Sequence, residues 1–161
     1  WEQICTVNEA VKLGAKAVGF TIYIGSEKEA HMMKDFARIE KEAHAIGMPV
    51  IAWVYPRGKN LEGKSEKELL AYSCRVGLET GADIVKVHWS GDLENLKWAV
   101  KSAGKTKVVV AGGAKTDEKN LLQNVSEAMK SGAIGVAIGR NIWQHEKPLE
   151  LAKKIKKIIW K

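Results

Sequence analysis

The sequence predicts an α/β protein built on a parallel sheet of five strands. Two observations predict it. One pattern recurs along the chain: a helical stretch, a glycine where it ends, then a short apolar run. No Ser/Pro-rich linker or low-complexity stretch interrupts the repeats, so residues 1–161 read as one domain. Strands that alternate with helices in this way pair in parallel, because the helix supplies the crossover connection.

The elements follow in order. A short helix near 7–13 ends at Gly14 and leads into an apolar strand over 17–23. A helix over 26–46 ends at Gly47 and leads into 49–55. A helix over 66–79 ends at Gly81 and leads into 84–89. A helix over 92–103 ends at Gly104 and leads into 107–111, and one over 118–131 ends at Gly132 and leads into 134–138. A last helix spans 148–159. Glycine closes these helices because it takes the left-handed conformation without a Cβ clash. Ser26 with Glu29 and Ser65 with Glu68 have the spacing of capping boxes, which mark helix starts. An open doubly wound sheet and part of a (β/α)8 barrel both fit this pattern.

Composition narrows the function classes. Hydrophobic residues make up 45% and charged residues 28%, as in globular proteins. No apolar run approaches the roughly 18 residues of a membrane span, and no basic-then-apolar leader is visible. Cys5 and Cys74 lack metal-like spacing and read as reduced thiols of a cytoplasmic protein. His31, His44, His88 and His145 are scattered, so no metal site is expected. The chain opens on Trp1 rather than Met, which implies that something upstream was removed, processed or left out. The net charge is +7. The lysines are interleaved with Glu along helical segments, and the one basic cluster, at 153–157, alternates with Ile155, Ile158 and Ile159 as the solvated face of a helix does. The charge excess suits small anionic substrates. Binding to nucleic acid or membrane is not expected.

One residue stands out. Lys86 sits inside the apolar run 84–89. A strand buried on both faces reads as continuous Val and Ile, and an ammonium there is costly to desolvate. Such burial favours the neutral amine, which attacks carbonyls, so Lys86 is the candidate Schiff-base nucleophile. The alternatives are a snorkelling edge-strand lysine or an ion pair with Asp83 or Asp92.

In either architecture the active site lies beyond the carboxyl ends of the strands. There the chain places Gly25-Ser26, Tyr55-Pro56-Arg57-Gly58-Lys59, His88, Gly112-Gly113 and Gly139-Arg140. Glycines let backbone N–H groups approach a phosphate, and Arg140 adds a bidentate donor. Tyr55 can transfer protons beside an amine or iminium. Arg57 is a second anion contact or a solvated loop charge. Trp53 shares a strand face with Tyr55, and His88 shares one with Lys86. His88 reads as a hydrogen-bonded histidine at the rim rather than a group that tunes the lysine.

Taken together, residues 14–26, 49–58, 81–92, 108–116 and 132–144 resemble the archaeal-type class I fructose-1,6-bisphosphate aldolases, a family that includes the amino-deoxy-heptulosonate synthases. The resemblance implies a TIM (β/α)8 barrel, with this chain as its fourth to eighth strands. It implies Lys86 as the Schiff-base lysine and Tyr55 as the proton-transfer residue. It places Gly112, Gly113, Gly139 and Arg140 on phosphate loops, with Trp53 and Arg57 near the substrate. It further implies reversible cleavage of fructose 1,6-bisphosphate in glycolysis and gluconeogenesis, no metal or other cofactor, and a homo-oligomer. The chain departs from the family at His88, where relatives often carry a second lysine, and at Ala111 and Ala114, where relatives can have Ser and Pro. The competing readings are a heptulosonate synthase or transaldolase-like lyase, and a non-catalytic fragment that binds phosphosugars.

Overall fold

The computed structural model describes residues 2–160. Trp1, the residue behind the expectation of a lost upstream segment, lies outside them. The elements are α1 (Val7–Lys12), β1 (Val18–Ile24), α2 (Glu29–His44), β2 (Val50–Pro56), α3 (Glu66–Glu79), β3 (Ile84–His88), α4 (Leu93–Ser102), β4 (Lys107–Ala111), α5 (Glu118–Lys130), β5 (Gly135–Ala137), α6 (Arg140–Trp143) and α7 (Pro148–Ile159), with a 3-10 turn at Lys59–Leu61. All strand pairs are parallel, and the sheet order is β1-β2-β3-β4-β5. This order never reverses, which removes the doubly wound alternative, whose order switches partway across the sheet. Right-handed crossovers without a reversal put the helices on one face of the sheet.

The two faces therefore differ. On the helix face Ile22, Val54, Val85 and Val87 are fully buried against Phe36, Leu70 and Leu96. A second apolar cluster joins α5 to α7 through Leu121, Val125, Leu151 and Ile155. The opposite face carries Thr21, Trp53, Tyr55, Lys86, His88 and Ala137, all half-buried or exposed. The burial expected for Lys86 is thus corrected: β3 is buried on alternate residues only, and among the described residues no helix covers its second face.

The ion-pair alternatives for Lys86 are absent as well. Asp83 accepts from Val50 N at 2.8 Å and pairs with His44, while Asp92 caps α4 by accepting from Asn95 N. Helix starts also differ from expectation at one point. Ser65 and Glu68 form the expected capping box on α3. Ser26 and Glu29 do not, because the Glu29 carboxylate is taken by Gly25 N at 2.7 Å and the Tyr72 hydroxyl at 2.6 Å, and α2 begins at Glu29 itself. Thr6 and Glu9 form a capping box on α1 that the sequence reading passed over. The basic cluster of α7 behaves as expected, with Leu151 and Ile155 buried and the lysines between them in solvent.

At the amino ends of the strands, His44 bridges two carboxylates, Glu40 at 2.7 Å and Asp83 at 2.8 Å. Its hydrogen bond to Asp83 raises its pKa above the ordinary 6.5, against some desolvation. Burial pushes Asp83 up, but its bonds to Val50 N–H and His44 outweigh that and hold it low. A histidine raised on folding stabilises the fold fully below its unfolded pKa, and that contribution is lost as pH rises through the folded value. The unfolding free energy from urea titrations should therefore fall as pH rises above about 6.5, by under about 1 kcal/mol for so exposed a pair. In His44→Gln this part of the pH dependence should vanish, and a slope that persists there would contradict the assignment.

Candidate active site

The site is assembled in layers on the open face. Trp53 on β2 is in register with Lys86 on β3, Lys86 with Val109, and Val109 with Gly135. One step toward the carboxyl ends, His88 is in register with Ala111, and Ala111 with Ala137. Tyr55 is the next residue after Trp53 on the same face.

The Lys86 ammonium lies 4.9 Å from the centre of the Trp53 ring and 5.9 Å from that of Tyr55. Among the described residues it has no carboxylate partner. The rings hold the amine by cation–π attraction without consuming it in an ion pair. The Cys74 thiol is no rival nucleophile: it is buried on the helix face, and burial pushes its pKa up to about 12.

Above the lysine layer opens a cleft of about 620 Å3 between Tyr55, Arg57, His88, Gly112, Gly113 and Arg140. Gly139 also lines it, as do Glu66 and Trp143. Seven of the residues singled out in the sequence, Tyr55, Arg57, His88, Gly112, Gly113, Gly139 and Arg140, thus share one cavity. Lys86 is not among its lining residues; it stands two residues before His88 on the same face of β3. Trp53 also faces a separate apolar hollow of about 500 Å3 along β1.

The loops of the cleft are bonded to one another. Gly113 has φ +64°, and a Cβ on Gly112 would come within 2.9 Å of Ile138, so both positions need glycine. Arg140 Nη2 donates to Gly113 O at 3.1 Å, which leaves its other N–H groups for an anion. On the opposite wall, the Gly58 Cα is pressed against Gly25: a Cβ there would stand 1.8 Å from the Gly25 carbonyl carbon. That contact, with Arg57 N donating to Ile24 O at 3.1 Å, fixes the loop that carries Arg57.

Two residues take roles that the sequence did not assign them, although Asn141 follows Gly139-Arg140 at the carboxyl end of the last strand. Asn141, only 4% exposed, uses its carboxamide to bind the loop after β4. Its Nδ2 donates to Gly112 O at 3.1 Å and Ala114 O at 2.9 Å, and its Oδ1 accepts from Thr116 N at 2.8 Å. Glu66, recognised only as part of a helix start, reaches into the cleft and accepts from His88 Nε2. His88 is thus hydrogen-bonded and lines the cleft, as the sequence suggested. Neither contact has a local signal, since the partners are 25–29 and 22 residues apart in the chain. Among the described residues no group of three or more His, Cys, Asp or Glu side chains is placed to hold a metal, and no helix is long and apolar enough to cross a membrane.

The chain is similar to the class 1 fructose-bisphosphate aldolase of Thermoproteus tenax, with 42% identity over 157 residues, covering 97% of this chain and 60% of the relative. Its similarity to that of Halobacterium salinarum is 40% over 155 residues, covering 96% and 59%. It thus spans about 60% of the length of these relatives. Among solved structures, it superimposes with a TM-score of 0.94 and 40% identity on an archaeal fructose-1,6-bisphosphate aldolase whose catalytic lysine is covalently bound to the carbinolamine intermediate of the substrate, covering 98% of this chain and 63% of that one. It superimposes with a TM-score of 0.83 and 31% identity on a fructose-bisphosphate aldolase from Slackia heliotrinireducens, covering 98% and 52%. The family model for DeoC/LacD family aldolases matches residues 1–145, nine-tenths of the sequence, and the chain belongs to that family.

Proposed function

We propose that this chain carries the imine-forming part of a class I fructose-1,6-bisphosphate aldolase and forms the last five units of a (β/α)8 barrel. The observation that carries the reading is the placement of Lys86, an amine with no carboxylate partner among the described residues, one step along the open face of β3 from His88, which lines a cleft whose far wall is the Gly112-Gly113 and Gly139-Arg140 loops. The sequential parallel order supports the barrel. So does the apolar hollow along β1, whose outer edge has no partner strand among the described residues.

In this reaction the Lys86 amine adds to the C2 ketone and water leaves, giving an iminium. As the C3–C4 bond breaks, its electron pair flows into the iminium to form an enamine. Tyr55 takes the C4 hydroxyl proton as glyceraldehyde 3-phosphate departs. Protonation at C3 and hydrolysis then release dihydroxyacetone phosphate and the free amine. Splitting one hard step into easier covalent ones is the gain. Backbone N–H groups of Gly113 and Gly139, with Arg140, hold one phosphate; Gly112, whose own N–H is donated to Ala137 O at 3.0 Å, lets the backbone come close to it, and Arg57 faces the other end of the cleft. Trp53 packs beside the amine. The iminium on Lys86 is the electron sink, so the reaction uses no metal or other cofactor. The parent enzyme is a cytoplasmic homo-oligomer of glycolysis and gluconeogenesis.

An experiment separates catalysis from mere phosphosugar binding. Dihydroxyacetone phosphate is incubated with the chain in D2O with a chelator, and its C3 protons are followed by NMR. Stereospecific exchange of one proton, lost in Lys86→Met, is expected. Exchange that survives Lys86→Met, or binding without exchange, would reject the reading.

A further inference from the structure

The Glu66–His88 pair is not explained by the fold. Both side chains are partly open to solvent, 45% and 26% exposed, and pairs of that kind add little stability. Glu66 stands in the first turn of α3, where the Ser65–Glu68 capping box fixes the backbone. Its carboxylate accepts from His88 Nε2. A carboxylate can only accept when ionised, so the proton on Nε2 is fixed and Nδ1 becomes the working nitrogen. Among the described residues Nδ1 has no protein partner.

His88 is the next residue after Lys86 on the open face, with Cα atoms about 6.6 Å apart along the strand, a gap that a lysine side chain spans. It also lies between Lys86 and the Gly112-Gly113 loop, in the layer of Ala111. A substrate with its phosphate on that loop and its carbonyl at Lys86 must pass the imidazole. Besides Glu66, the charged groups that line this cleft are Arg57 and Arg140, both permanently cationic, and Tyr55 is its other titratable side chain.

We propose that His88, oriented by Glu66, is the proton carrier for imine formation at Lys86. This rests on the aldolase reading above. Nδ1 takes one proton from the Lys86 ammonium, and the freed amine adds to the carbonyl carbon. The amine's own proton passes to the oxygen, giving a neutral carbinolamine. Nδ1 then returns its proton to that hydroxyl as the C–O bond breaks and the nitrogen lone pair forms the iminium. Water leaves, the imidazole is neutral again, and charge is conserved from ammonium to iminium.

The test is the rate at which dihydroxyacetone phosphate becomes trapped on Lys86 when borohydride is added at timed intervals. In His88→Gln, which keeps a polar group but carries no proton, the rate should fall about 100-fold, the scale of a lost general acid–base. Half-saturation by the sugar phosphate should hold. Glu66→Gln should fall by about 10-fold, the scale on which an orienting carboxylate acts. Added imidazole should restore much of the rate in His88→Ala, which a merely structural role would not allow. Trapping in His88→Gln at the wild-type rate, or no rescue by imidazole, would overturn the proposal and leave the aldolase reading intact. No adduct in the wild type would overturn both.

Discussion

Lys86→Met should abolish covalent capture of dihydroxyacetone phosphate without unfolding the protein. Methionine matches the length of the lysine stem and is at home on a half-buried face. The wild-type ammonium contributes only its contacts with the Trp53 and Tyr55 rings, about 0.5–1 kcal/mol at an open site. The melting temperature should shift by a few degrees at most, because a change of about 1 kcal/mol moves a domain of this size by that amount. The chemistry has no such margin. Without the amine no iminium forms, and adduct formation should drop by about four orders of magnitude or more, as when a nucleophile is removed from other covalent enzymes. A Lys86→Met variant that still forms a reducible adduct, with a normal melt, would show that another amine does the work.

Asn141→Leu should damage stability and anion binding together. The substitution keeps the branched outline of the side chain but removes a carboxamide that makes three hydrogen bonds to the loop after β4. Gly112 O, Ala114 O and Thr116 N would lose their partners beside a residue only 4% exposed, at about 1–3 kcal/mol for each group that water cannot reach. Unfolding in urea should move by about 3 kcal/mol on that scale. The affinity for inorganic phosphate, followed by NMR titration, should fall about tenfold, since 1.4 kcal/mol of loop ordering lost on binding is worth that factor. Lost stability with unchanged phosphate affinity would mean that the loop after β4 is not the anion cradle.

The strands were legible because each follows a helix-ending glycine and is apolar, and the sheet order then confirmed their parallel pairing. The importance of Lys86 was also legible, though partly for the wrong reason. A lysine in an apolar strand stood out, but its strand is buried on one face only, and its ammonium rests on aromatic rings rather than in a dry core. Periodicity in a five-residue strand does not say which face a distant element will leave open. Ser26 failed for a similar reason: its partner Glu29 has the right spacing, but Tyr72 on α3 competes for the same carboxylate. Asn141 and Glu66, each in the first turn of a helix, act on partners 22 or more residues away in the chain, and nothing in their own neighbourhood marks such roles.

The most direct test of the central claim is reduction with borohydride in the presence of dihydroxyacetone phosphate, followed by peptide mass mapping. A single reduced triose phosphate on Lys86, absent when substrate or borohydride is omitted, is the predicted result. An adduct spread over other lysines, or no adduct at saturating substrate, would contradict it.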